Sequence, residues 1–66
     1  LEIYAEQPFS RVQLFDNSGK LLEDISLSSK TLHHRLGISD LPKGIYYVRI
    51  YQDNRKTSTY KVVICD

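Results

Sequence analysis

The chain reads as an all-β domain, an antiparallel sandwich of about six short strands, and three observations carry that expectation. Apolar and polar residues alternate over successive short runs. These runs recur at roughly 8–12-residue spacing with turn chemistry between them. No stretch carries a convincing helical pattern.

The strongest run is Ile45-Tyr-Tyr-Val-Arg-Ile-Tyr51, rich in β-branched and aromatic residues. Tyr46, Val48 and Ile50 share one face, expected to enter a core. Ile45, Tyr47, Arg49 and Tyr51 share the other, expected to be half wet. Leu41-Pro-Lys-Gly44 precedes it, and a proline that fixes φ followed by a glycine free to take positive φ predicts a tight reversal there.

The remaining elements follow in order. Leu1, Ile3 and Ala5 alternate with Glu2, Tyr4 and Glu6, predicting a strand that Gln7-Pro8 ends. Ser10 to Asp16 resumes the alternation, with Val12 and Leu14 on one side and Arg11, Gln13 and Phe15 on the other. Asp16-Asn-Ser-Gly19 is a hairpin signal. Lys20 to Leu27 is ambiguous, because Leu21, Leu22 and Ile25 fit a helical face as well, and the preceding turn favours a strand. Ser28-Ser-Lys30 reads as a loop. Thr31 to Ile38 places Leu32, His34, Leu36 and Ile38 on one face, and Gly37 there marks a bulge or a close backbone approach. Asp53-Asn-Arg-Lys56 turns the chain back into a last strand, Thr57 to Cys65, which is expected to form a hairpin with residues 45–52.

Sixty-six residues allow one small domain, which buries about 60% of the surface its unfolded chain exposes. The absence of methionine predicts a fragment of a larger polypeptide or a processed product. No run reaches the ~18 apolar residues of a transmembrane helix, and the first residues lack the pattern of a secretory signal. A net charge of +1 with scattered cations offers no basic stripe, so nucleic acid is not an expected partner. Cys65 is the single cysteine; it reads as a small apolar residue at a strand end, and an intermolecular disulfide is the alternative.

Nothing in the pattern points to catalysis, and no catalytic residue, metal site or cofactor is expected. His33 and His34 are adjacent, so on a strand they face opposite ways and do not chelate one ion together. No nucleophile, base and orienting group converge by spacing. Phe15, Tyr47 and Tyr51 with Arg11 and Arg49 are expected to form an outer stripe, either by ordinary cross-strand pairing or as a platform for a sugar or protein partner.

Two pieces in fixed order, Val12-Gln-Leu-Phe-Asp-Asn-Ser-Gly-Lys-Leu-Leu22 and Ile38-Ser-Asp-Leu-Pro-Lys-Gly-Ile-Tyr-Tyr-Val-Arg-Ile50 followed by Tyr60-Lys-Val-Val-Ile64, resemble the C-terminal sorting domain of cargo proteins of the type IX secretion system of Bacteroidetes. The resemblance covers nearly the whole chain. It implies an Ig-like antiparallel β-sandwich of six to seven short strands, acting as an export signal. The partners it implies are the outer-membrane translocon and a sortase-like peptidase that usually removes the domain and attaches the cargo to the surface. The implied location is the periplasm in transit, then the cell surface and outer membrane or the medium.

By the same resemblance Gly19 and Lys20 belong to the first turn motif, and Leu41, Gly44, Tyr46, Val48 and Ile50 to the second. Recognition is expected at Lys61, Val62, Val63 and Ile64 with Lys43 and Gly44. Residues 1–66 are expected to be a single sorting domain of a larger secreted protein, without the family's first strand and linker. The edge so exposed is expected to favour a homodimer by edge pairing or strand exchange. The competing expectation is a permanent Ig-like accessory or adhesion module that binds a sugar or a protein through the Tyr47 and Tyr51 face.

Overall fold

The computed structural model describes residues 1–52 and 55–65. They form four antiparallel strands, β1 (Glu2–Asp16), β2 (Leu21–Arg35), β3 (Gly44–Gln52) and β4 (Thr57–Ile64), in one sheet of order β2-β1-β3-β4. No helix is present among the described residues. The all-β, antiparallel expectation holds. The two-sheet sandwich of six to seven short strands does not appear, because two pairs of expected strands are each continuous: residues 2–5 and 10–16 lie in β1, and residues 20–27 and 31–38 fall largely in β2.

The expected breaks survive as faults in register. Between the pairs Tyr4–His33 and Phe9–Thr31, β1 advances five residues while β2 advances two. Between Phe9–Thr31 and Arg11–Ser26 the excess is reversed, with β2 advancing five and β1 two. Gln7-Pro8 and Ser28-Ser-Lys30 therefore do not end strands; they are the surplus residues of two opposed bulges, which bend both strands at once. Pro8 is tolerated because this part of β1 has no ladder partner to lose.

The bend closes the core. Ile3 and Leu36, from the far end of the long hairpin, join Val12, Leu14, Tyr46, Val48 and Ile50, while Phe9 at the bend has no exposed surface. The end itself is held by paired backbone bonds, the Leu36 N–H donating to Leu1 O at 2.8 Å and the Leu1 nitrogen donating to Leu36 O at 2.9 Å. Leu1–Tyr4 then forms one wall of a groove of about 250 Å³, with Val48, Tyr60, Lys61 and Val62 as the other.

Four local expectations change. Leu32 is about half exposed, because it lies at the bend rather than on a regular inward face. Gly37 follows β2, and a side chain there would meet nothing within 4 Å, so no close approach requires it. The hydrogen-bonded turn before β3 is Ile38–Leu41, with the Leu41 N–H donating to Ile38 O at 3.1 Å; Pro42 to Gly44 is the lead-in that follows. The last strand ends at Ile64, leaving Cys65 exposed beyond it. The C-terminal hairpin is as expected, β3 and β4 pairing from Gly44–Ile64 to Tyr51–Thr57. Its turn lies partly outside the described residues; the Gln52 N–H donates to Lys56 O at 2.8 Å, and Arg55 takes a φ of 62°.

Phe9→Ala is expected to destabilise the domain by about 3–5 kcal/mol, the usual result of emptying a fully buried aromatic site. Urea denaturation followed by circular dichroism measures this. A loss below about 1 kcal/mol would show that the bend is not held by Phe9.

Candidate functional site

The three pieces of sequence that carry the resemblance meet at one end of the sheet. The first is the β1–β2 turn. The Asp16 carboxylate accepts from the backbone N–H groups of Ser18 and Lys20, both at 2.9 Å, and from the Ser18 hydroxyl at 2.7 Å. These bonds, the Ser18 hydroxyl first, hold its pKa below the ordinary carboxylate value. Gly19 closes the turn with a φ of 90°, a left-handed conformation that glycine adopts without a Cβ penalty.

The second piece is the lead-in to β3. Gly44 has a φ of 157°, and the Tyr46 hydroxyl donates to Pro42 O at 2.6 Å, tying the lead-in to a core residue. The register of β1 with β3 sets Asp16 against Tyr46, and that of β3 with β4 sets Gly44 against Ile64. The turn, the Pro42–Gly44 segment and the end of β4, which is the third piece, are thus neighbours. A shallow crevice of about 520 Å³ opens there between Asp16–Ser18 and Gly44–Tyr46.

Residues of this end have separable roles. Tyr46, Val48 and Ile50 are buried, and Leu41, Val62 and Ile64 are half-buried against the core. Gly19, Lys20, Lys43, Lys61 and Val63 are exposed, Val63 by 61%. Of the four residues Lys61 to Ile64, two therefore anchor β4 and two are presented to solvent.

The outer face of the sheet also forms as the alternation predicts. Arg11 lies 5.1 Å from the centre of the Tyr51 ring, and Arg49 lies 5.1 Å from that of Phe15. Two further members were not part of the expected stripe, Asp24 and Gln13. Arg11 donates through Nε and Nη2 to the two carboxylate oxygens of Asp24, at 2.9 and 2.6 Å. The buried Gln13 amide donates to Asp24 at 3.2 Å and accepts from the Tyr51 hydroxyl at 2.7 Å. Arg11, and then Gln13, draws the Asp24 pKa down to about 2. Asp24 sits in the segment whose periodicity is ambiguous, so its face could not be assigned without the register Gln13–Asp24.

At the far end Glu2 bridges β2, its carboxylate accepting from Arg35 Nε at 2.7 Å and contacting His33 Nε2. Arg35 first, then His33, lowers the Glu2 pKa. His33 stacks on Tyr4, with ring centres 4.5 Å apart. His34 pairs with Ile3 on the opposite face, so the two histidines diverge. Among the described residues no three His, Cys, Asp or Glu side chains come together as a metal site, and Cys65 is free.

What results is a small β-domain whose distinctive chemistry lies on strand ends, edges and faces. Residues 1–65 match the family model described as the secretion system C-terminal sorting domain, and the chain belongs to that family, the sorting domains of type IX secretion. No curated protein and no solved structure matches the chain significantly.

The depressed Asp24, Glu2 and Asp16 pKa values set an acid limit. A carboxyl with a lowered folded-state pKa favours folding above its unfolded value, and that contribution is lost as pH falls through the folded value. For Asp24 the window runs from 3.8 down to about 2. Asp24→Asn is expected to flatten the fall in stability across that window, measured as urea midpoints at stepped pH. An unchanged slope would show that the Arg11–Asp24 pair does not couple to folding.

Proposed function

We propose that this domain is an export signal read by the outer-membrane translocon of the type IX system, and that it directs its cargo across the outer membrane to the surface or the medium. The observation that carries the reading is the convergence of the Gly19–Lys20 turn, the Lys43–Gly44 lead-in and the end of β4 at one end of the sheet. A receptor that binds a folded signal needs a composite surface of this kind, since a linear motif alone would also be matched by unfolded chains. On this reading Lys43, Gly44, Lys61 and Val63 face the translocon, while Val62 and Ile64 hold β4 in place. A sortase-like peptidase then separates the domain from its cargo.

The fold-back of Leu1–Tyr4 towards β4 supports reading the two long strands as the bent, merged strands of an Ig-like sandwich. The alternative, a sugar-binding module, draws less support. The rings expected to receive a sugar include Tyr51 and Phe15, over which Arg11 and Arg49 lie.

The test is a fusion of the chain, with its natural upstream linker, to a periplasm-directed fluorescent protein in a bacterium that has the type IX system. Surface or medium fluorescence that disappears in a translocon mutant is expected. Periplasmic retention of a folded fusion would overturn the reading. Lys61→Glu combined with Val63→Asp, both at exposed positions, is expected to leave the domain folded and the cargo periplasmic.

Gly44→Val should reduce both folding and export. The strain comes from φ, because a Cβ at Gly44 would approach nothing closer than 3.8 Å. Undiminished export by Gly44→Val would show that this conformation is not needed.

A further inference from the structure

The two edges of the sheet, β2 and β4, are protected very differently. β2 carries Glu23, Asp24, Lys30 and Arg35 and is broken by shifts of register. Charges and bulges of this kind keep an edge from pairing with other chains. β4 runs in unbroken register from Thr57 to Ile64, with Lys61 as its only charge and no proline. Tyr60 and Val63 on it are 45% and 61% exposed.

The free backbone groups of β4 follow from its hairpin. The Gln52 N–H donates to Lys56 O, and antiparallel ladders alternate between hydrogen-bonded and non-hydrogen-bonded pairs. The hydrogen-bonded pairs in phase with that contact are Ile50–Ser58, Val48–Tyr60, Tyr46–Val62 and Gly44–Ile64. Thr57, Thr59, Lys61 and Val63 therefore point their N–H and C=O groups away from β3, with no partner strand among the described residues.

We infer that this edge pairs with the same edge of a second copy, antiparallel about a two-fold axis at Tyr60. An isologous pair must set outward backbone groups against outward backbone groups, and residues of one sheet face against the same face. Four axes satisfy this with an overlap of at least about five residues, at Thr59, at Tyr60, at Lys61 or at Val62. The Lys61 axis sets Lys61 against the partner's Lys61, a like-charge pair directly opposed. The Thr59 and Val62 axes both shorten the overlap within the strand.

The Tyr60 axis avoids both penalties. Lys61 then faces the partner's Thr59 and Val63 faces the partner's Thr57. Tyr60 meets the partner's Tyr60 in a non-hydrogen-bonded pair, where side chains approach most closely. Four hydrogen-bonded pairs contribute about eight backbone bonds. The two four-stranded sheets become one, and both unprotected edges disappear.

Sedimentation equilibrium of the 66-residue chain is expected to show dimer replacing monomer as concentration rises from micromolar to millimolar. Thr59→Lys places a lysine against the partner's Lys61 on both sides of the axis. It is expected to raise the dissociation constant roughly tenfold.

Single cysteines introduced at Tyr60, Lys61 or Val62 in a Cys65→Ser background test the register, with circular dichroism as the check on folding. Only Tyr60→Cys is expected to oxidise efficiently to a covalent dimer, its two Cα atoms lying about 4.5 Å apart across the axis. Monomer at every concentration of the unmodified chain would overturn the interface. Strongest cross-linking from position 61 or 62, or an unchanged constant in Thr59→Lys, would overturn the register. The oligomeric state is read on the isolated chain, so either result is independent of export.

Discussion

The structure depends on β1 being paired along both edges. It carries β2 on one side and β3 on the other, and the β1–β3 ladder from Phe9–Gln52 to Asp16–Tyr46 is what joins the two hairpins. Each hairpin closes locally across a short turn, but a two-stranded ribbon alone is marginal in water. The long-range ladder creates a sheet with one apolar face, and Val12, Leu14, Val48 and Ile50 become core only because of it. Loop-closure entropy is lost before these contacts form, so this long-range ladder costs more to close than either hairpin.

Having one sheet, the domain must cover one face of it. The opposed bulges around Phe9 solve this without a second sheet or a helix, by bending the far end of the long hairpin so that Ile3 and Leu36 reach the same core. Burying a side chain such as Phe9 contributes about 1.5–3 kcal/mol, a large share of the margin available to so small a domain. The cover is incomplete over β4, whose inward residues Val62 and Ile64 are only half-buried. That strand is therefore incompletely shielded, and its end lies beside Gly44.

Function follows from the same economy. A chain with this little interior has few means of making a deep pocket, whereas strand ends come with fixed backbone geometry. Asp16 organises the first turn through three hydrogen bonds, and Tyr46 fastens the Pro42–Gly44 segment to the core. Rigid anchoring lets neighbouring exposed side chains form a reproducible surface, which is what recognition of a folded signal requires. Export recognition and self-pairing, as proposed, both draw on β4.

The amino-acid order alone was enough for the class, the C-terminal hairpin, the inward and outward faces of residues 45–51, and the Asp16–Gly19 turn, because period-2 alternation and turn chemistry are local. It also yielded the family, since the motif residues lie in order along the chain. The folded sheet was needed to show that the breaks at Gln7-Pro8 and Ser28-Ser-Lys30 are bulges within continuous strands, because a register fault exists only relative to a partner strand. It alone revealed Phe9 as a fully buried residue and Asp24 as the partner of Arg11 and Gln13. The meeting of Asp16, Gly44 and Ile64 was likewise beyond local reading, since residues far apart in sequence become neighbours through ladder registers that alternation leaves undetermined.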